Sequence, residues 1–126
     1  MRNNLLFITL FITMLFLLTG KSYSQDNAYA LVAEVMPQPI GGMEGLYKNI
    51  SYPDMAKKTG VSGKVYLLAF INERGDVDNV KVIKGIGAGC DEAAIKGIRS
   101  TKFNPAMSKG EAIKAKLSIP VTFQIM

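Results

Sequence analysis

The residues able to do side-chain chemistry in this 126-residue chain are few, and their spacing argues against catalysis. There is no histidine and one cysteine, Cys90. A Ser-His-Asp or Cys-His arrangement, an intrachain disulfide and a His/Cys zinc site are thereby excluded. Cys90 stands near the start of a predicted helix, where a thiolate is favoured; the plainer reading is a small, semi-buried residue. Gly85-x-Gly87-x-Gly89 falls between a predicted strand and that helix, the place of a phosphate cradle. Its spacing is not G-x-G-x-x-G, and no parallel strand with an acidic residue follows, so it reads as a β-to-α turn. Asp76 and Asp78 flank a hairpin turn and do not face each other across a cleft, as a glycosidase pair must. General acid–base and nucleophile partners are missing, so the chain reads as a non-enzyme without cofactor or metal.

The backbone offers a different chemistry. Ile113, Ala115, Leu117, Ile119, Val121, Phe123 and Ile125 alternate with Lys114, Lys116, Ser118, Pro120, Thr122 and Gln124. Such alternation predicts a long strand with one core face and one wet face. Pro120 lacks an N–H and is tolerated where the ladder does not need that donor, as on an edge. An edge strand presents unpaired N–H and C=O groups, and an extended peptide can add to them as a further strand. Lys114 and Lys116 guard such an edge against aggregation while leaving its backbone available. The alternative is a charged edge that binds nothing.

The elements that must position this edge form one α+β unit. Met43, Leu46, Tyr47 and Ile50 recur at helical spacing after Gly41-Gly42. Pro53 opens a second short helix, with Asp54 at its positive end, Lys57 and Lys58 at its negative end and Gly60 as its stop. Residues 64–72 and 77–84 form a hairpin around Glu73-Arg74-Gly75-Asp76. A bulge near Asp78-Asn79 is needed to bring Val77, Val80 and Val82 to one face. The first hairpin strand is apolar on both parities, which predicts a central strand or one covered on both faces. Tyr66 and Phe70 on its second face are either an exposed aromatic strip or a packing face under the leader or a dimer partner. A helix from about Asp91 to Ser100 follows, ended by Phe103-Asn104-Pro105. The expected fold is α+β: a three-stranded antiparallel sheet, helices on one face, the final strand at an edge.

Residues 1–24 read as a signal peptide or an uncleaved membrane anchor. Arg2 precedes the run Leu5 to Leu18, apolar except for Thr9 and Thr13, and Ser22 and Ser24 are the small residues of a cleavage site before Gln25. A spanning helix needs about 20 apolar residues, which favours cleavage. Either way the remainder lies outside the cytoplasm, and a single cysteine suits a bacterial periplasm. Residues 25–40 read as a leader and 41–126 as the domain. Without Arg2 and Lys21, thirteen basic residues face ten acidic ones, a net charge of +3. The basic residues are spread along the chain without aromatic interleaving, which argues against nucleic acid.

Gly41-Gly42-Met43, Tyr52-Pro53-Asp54-Met55-Ala56-Lys57, Gly60-Val61-Ser62-Gly63-Lys64-Val65, Gly75 with Val77, Asn79-Val80-Lys81-Val82, Gly89-Cys90-Asp91-Glu92-Ala93-Ala94, Phe103-Asn104-Pro105-Ala106 and Ile119-Pro120-Val121-Thr122-Phe123 occur in that order. From about Pro39 to Met126 the chain thereby resembles the C-terminal domain of TonB energy transducers. The resemblance implies a periplasmic module whose last strand recruits the TonB-box segment of an outer-membrane transporter, with an inner-membrane motor driving uptake. Carried over, the recruiting edge comprises Lys116, Leu117, Ser118, Ile119, Val121, Thr122 and Gln124. Asn49, just upstream of the Tyr-Pro motif, stands where some relatives carry a glutamine near the box.

The chain departs from full transducers, which carry an anchor and a long Pro-rich linker. Gln25 to Gly42 is eighteen residues with two prolines, spanning at most about 60 Å. With the signal cleaved, a pull on this chain has no second attachment point. The module is then a free adaptor or competitor, or it works with a tethering subunit. The alternative function is a structural or assembly protein of the envelope that uses the same edge for self-association, as a homodimer.

Overall fold

Apolar side chains on both parities of one strand require cover on both sides, and that strand is the centre of the sheet. In the computed structural model, which describes residues 28–125, strand β2 (Gly63–Ile71) lies between β3 (Val77–Lys84) and β7 (Ala115–Phe123), antiparallel to both. Val65, Leu67, Ala69 and Ile71 face the core and are fully buried. The β2–β3 register slips at Phe70/Ile71, leaving Asp78 unpaired between Val77 and Asn79. This is the bulge that the valine parity requires. A second slip, between Tyr66 and Leu67, leaves Ile83 unpaired.

Among the described residues, three helices lie on the core face: α1 (Gly42–Lys48), α2 (Asp54–Thr59) and α3 (Cys90–Arg99). Gly60, in the left-handed region at φ 73°, ends α2 as expected. Inside α3, a β-carbon on Gly97 would overlap Ile50 Cγ1 and crowd the Asn49 carbonyl. Glycine there lets the chain after α1 lie directly on the helix. Among the described residues the buried apolar side chains of the core run from Leu46 to Phe123.

The long C-terminal alternation is broken at Lys114. Ile113 belongs to β6 (Glu111–Ile113), which folds back on β5 (Ala106–Ser108) as a separate hairpin. The tip Lys109-Gly110 has positive φ at both positions, the geometry of a tight hairpin turn. The leader also has a place: β1 (Gln38–Pro39) pairs with β4 (Phe103–Asn104), Val35 bridges Met107, and Ala30 bridges Ala115 in parallel sense. Residues 1–27, with the expected signal segment, lie outside the described residues.

Candidate functional site: the outer edge of the last strand

The register of β7 on β2 runs without a break from Ala115 opposite Ile71 to Phe123 opposite Gly63. Backbone groups of alternate residues therefore point to opposite sides of the strand. The side away from β2 is identified by two bonds: Lys116 N–H donates to the Ala30 carbonyl at 2.9 Å, and Thr122 N–H donates to the Tyr47 hydroxyl at 3.0 Å. Even-numbered residues thus present the outer edge. Its N–H donors are those of Lys116, Ser118 and Thr122, since Pro120 has none. Two of the three already have acceptors. Ser118 N–H is the donor for which no described group is an acceptor.

The predicted site residues separate along this line. Leu117, Ile119 and Val121 turn their backbone groups to β2, and the side chains of Ile119 and Val121 are buried. Lys116, Ser118 and Thr122 carry the edge. Gln124 lies just past the strand, in a cleft with Tyr47, Ile50 and Tyr52. Asn49 is tied elsewhere: its Nδ2 donates to Thr101 Oγ1 at 2.9 Å, and Thr101 Oγ1–H donates to the Gly97 carbonyl at 2.8 Å. This joins the end of α1 to α3, away from β7.

Beside Ser118 the edge opens on a cleft of about 370 Å³, whose apolar lining includes Pro37, Pro39, Met43, Leu117 and Ile119. The leader closes one end of the edge and α1 the other. At the leader end, Ala30 both donates to the Lys114 carbonyl and accepts from Lys116, each at 2.9 Å. Tyr29 anchors it: its ring meets Phe70 edge-on at 5.2 Å, and its hydroxyl donates to Asp78 Oδ2. That hydrogen bond, then burial, pushes the Tyr29 phenol up to about 12. Phe70 is covered in this way and is 2% exposed, whereas Tyr66 on the same face is 37% exposed.

Tyr47 is a site residue that sequence reasoning did not single out. The helical spacing Met43, Leu46, Tyr47, Ile50 marks an amphipathic helix; Leu46 is buried and Ile50 packs partly against the core, whereas Met43 and Tyr47 are exposed. Met43 and Tyr47 lean out over the edge of β7. The signal available was the hydroxyl itself, since a tyrosine at a half-covered position seeks a polar partner.

The remaining candidates are structural. Cys90 is fully buried, and burial, followed by Asp91 and Glu92, raises its thiol pKa; a nucleophile needs the opposite. In the glycine loop, Asp91 Oδ1 accepts the N–H groups of Ile86 at 2.9 Å and Gly87 at 3.4 Å. A carboxylate of the chain itself thus stands where a phosphate would. Asp78 joins the bulge to Asn72 through Nδ2 at 2.8 Å. No cluster of potential metal ligands and no helix long and apolar enough to cross a membrane occurs among the described residues.

Comparison with known proteins agrees with this architecture. The chain is 33% identical over 75 residues to Protein TonB of Xanthomonas campestris pv. campestris, covering 59% of this chain and 34% of that protein. It is 25% identical over 75 residues to Protein TonB of Vibrio cholerae serotype O1, covering 59% and 31%. The matched stretch spans about a third of those relatives. Two solution structures of the Helicobacter pylori TonB C-terminal domain superpose with TM-scores of 0.51 and 0.53 at 27% and 26% identity. They cover 64% and 67% of this chain, and 86% and 77% of those chains. The sequence profile of the Gram-negative bacterial TonB protein C-terminal domain matches residues 48–125, and the chain belongs to that family.

Proposed function

We propose that this protein is a non-enzymatic peptide-capture module of the periplasm. It takes the TonB-box segment of an outer-membrane transporter as an added strand on the outer edge of β7 and serves energy-coupled transport. The observation that carries this reading is the unpaired Ser118 N–H beside an apolar cleft, on a strand that is a sheet edge. An incoming strand takes the Ser118 donor first. It then displaces Ala30 from Lys116 and the Tyr47 hydroxyl from Thr122, lengthening the ladder in both directions.

Capture in this form is weak and reversible. Three donors and the outward carbonyls of β7 are worth about 1 kcal/mol each. Association costs, and the loss of the two existing contacts, offset much of that. The expected affinity is micromolar or weaker. Residues 1–24 are the export signal in this reading. The mature chain is a free adaptor, or it acts with a tethering subunit next to the inner-membrane motor; retention of the signal makes it inner-membrane anchored.

The test is titration of residues 25–126 with a TonB-box peptide, wild type against Ser118→Pro. The substitution removes the donor without touching the β2 ladder, because Ser118 points its N–H outward. Loss of one bond predicts binding weaker by at least about fivefold, with the melting temperature little changed. Equal affinities contradict the reading. Light scattering during the titration distinguishes capture from the self-associating alternative, in which a stable dimer is indifferent to peptide.

A further inference from the structure

The leader holds part of the same edge that a guest strand needs, and two adjacent residues build that hold on two surfaces. Ala30 takes the edge. Its N–H donates to the Lys114 carbonyl and its carbonyl accepts from Lys116 N–H, each at 2.9 Å, which makes one rung of a parallel ladder. Tyr29 takes the sheet face opposite the helices, where its ring stands edge-on to Phe70 and its hydroxyl donates to Asp78 Oδ2. Phe70 is the β2 partner of Lys116, so the two grips meet at one residue pair. Lys114 lies over the Tyr29 ring and Lys116 over the Phe70 ring, each at 5.6 Å. Past Ala30 the leader stands away from the domain: Leu31 is 70% exposed and Val32 82%. It is next fastened at Glu34, whose N–H donates to Ser108 Oγ, and at Val35, bonded both ways to Met107.

We propose that Tyr29 and Ala30 form an autoinhibitory clasp, an internal competitor for the outer edge of β7 that is locked from the sheet face through Phe70 and Asp78. The inference rests on the peptide-capture reading above. A backbone N–H is a single donor, so a guest ladder that grows from Ser118 to Lys116 has to expel Ala30. Residues 31–33 give the clasp room to open while Val35 stays on Met107. A competitor of this kind lowers the apparent affinity by the fraction of molecules in which the edge is open. The coupling is reciprocal: loosening the clasp strengthens capture, and capture loosens the clasp. Tyr29 thereby governs the edge from a face that the ladder bonds do not use.

The test uses the full chain in mild detergent with a labelled TonB-box peptide. Fluorescence anisotropy gives affinity, and amide exchange is followed residue by residue. Tyr29→Ala should raise peptide affinity by up to about tenfold, the factor that corresponds to one aromatic pair. Tyr29→Phe, which keeps the ring on Phe70, should raise it less. Saturating peptide should slow exchange at Ser118 and, in the same wild-type sample, quicken it at Ala30, whose N–H leaves the Lys114 carbonyl. The Val35 and Met107 amides should keep their protection throughout, which separates opening of the clasp from loss of the fold. Protection gained at Ser118 with Ala30 still protected, or equal affinities in the three proteins, leaves capture standing and overturns the clasp. Weaker binding in Tyr29→Ala also overturns it, since the guest then rests on the Tyr29 ring. No peptide binding to any of the three proteins overturns capture and the clasp together.

Discussion

The Tyr47 hydroxyl accepts the backbone N–H of Thr122 at 3.0 Å, so a helix side chain occupies the place of a neighbouring strand's carbonyl. The other end of the same edge is held by Ala30, bonded to Lys114 and Lys116. Between the two contacts lies Ser118. The edge is closed at its ends by single, separable bonds and open at its middle.

Tyr47→Phe removes one of these closures. Thr122 N–H then loses its acceptor at an exposed position where water replaces it, so the stability cost is small, below about 1 kcal/mol. A guest strand no longer has to displace the hydroxyl. Peptide affinity is expected to rise by up to about fivefold, read by fluorescence anisotropy of a labelled peptide. Weaker binding in the variant means that the hydroxyl contacts the guest rather than standing in for it.

The leader contact has a defined pH window. Tyr29 has its phenol raised from an ordinary 10.0 to about 12, first by its hydrogen bond to Asp78. A raised pKa means that the protonated form is favoured in the docked state. The contribution is complete below pH 10 and disappears as pH rises through about 12. Absorbance titration should show Tyr29 ionising late, and Asp78→Asn should bring it back toward its ordinary value, whereas Tyr52, whose phenol is raised by burial and then by Cys90, should not move. A titration curve that is the same in Asp78→Asn and wild type places the cause elsewhere.

Gly97→Ala tests the joint between α1 and α3. Alanine gains about 1 kcal/mol in helix propensity, but its methyl overlaps Ile50 and crowds the Asn49 carbonyl. Overpacking of this kind costs about 1–3 kcal/mol. Net destabilisation is expected in urea unfolding, with the Asn49 and Thr101 amide resonances shifted. A stabilised variant means that the Asn49–Ile50 segment moves aside freely.

The large elements were legible because their periods are strong. The alternation through β7, the two apolar parities of β2 and the capping residues of α2 each have one structural solution. The bulge at Asp78 followed from parity alone. What escaped depends on long-range partners. Nothing local in Tyr29 or Ala30 announces Phe70, Asp78 or Lys116, which lie some 40 to 90 positions away in sequence. The break at Lys114 was hidden because Ile113 keeps the same parity while belonging to another hairpin. Tyr47 shares its helical spacing with Leu46 and Ile50, so periodicity does not single it out, and its partner is on a different element. Among the expected site residues, the backbone donors at Lys116, Ser118 and Thr122 lie together on one edge, while Asn49 is held by Thr101.

The most direct measurement is residue-resolved amide exchange of the domain with and without a TonB-box peptide. The free protein should exchange Ser118 N–H fastest among the amides of residues 115–119. Saturating peptide should slow Ser118 most, with Lys116 and Thr122 remaining protected as their acceptors change. Protection that appears instead along the outer edge of β3, with Ser118 unchanged, contradicts docking on β7.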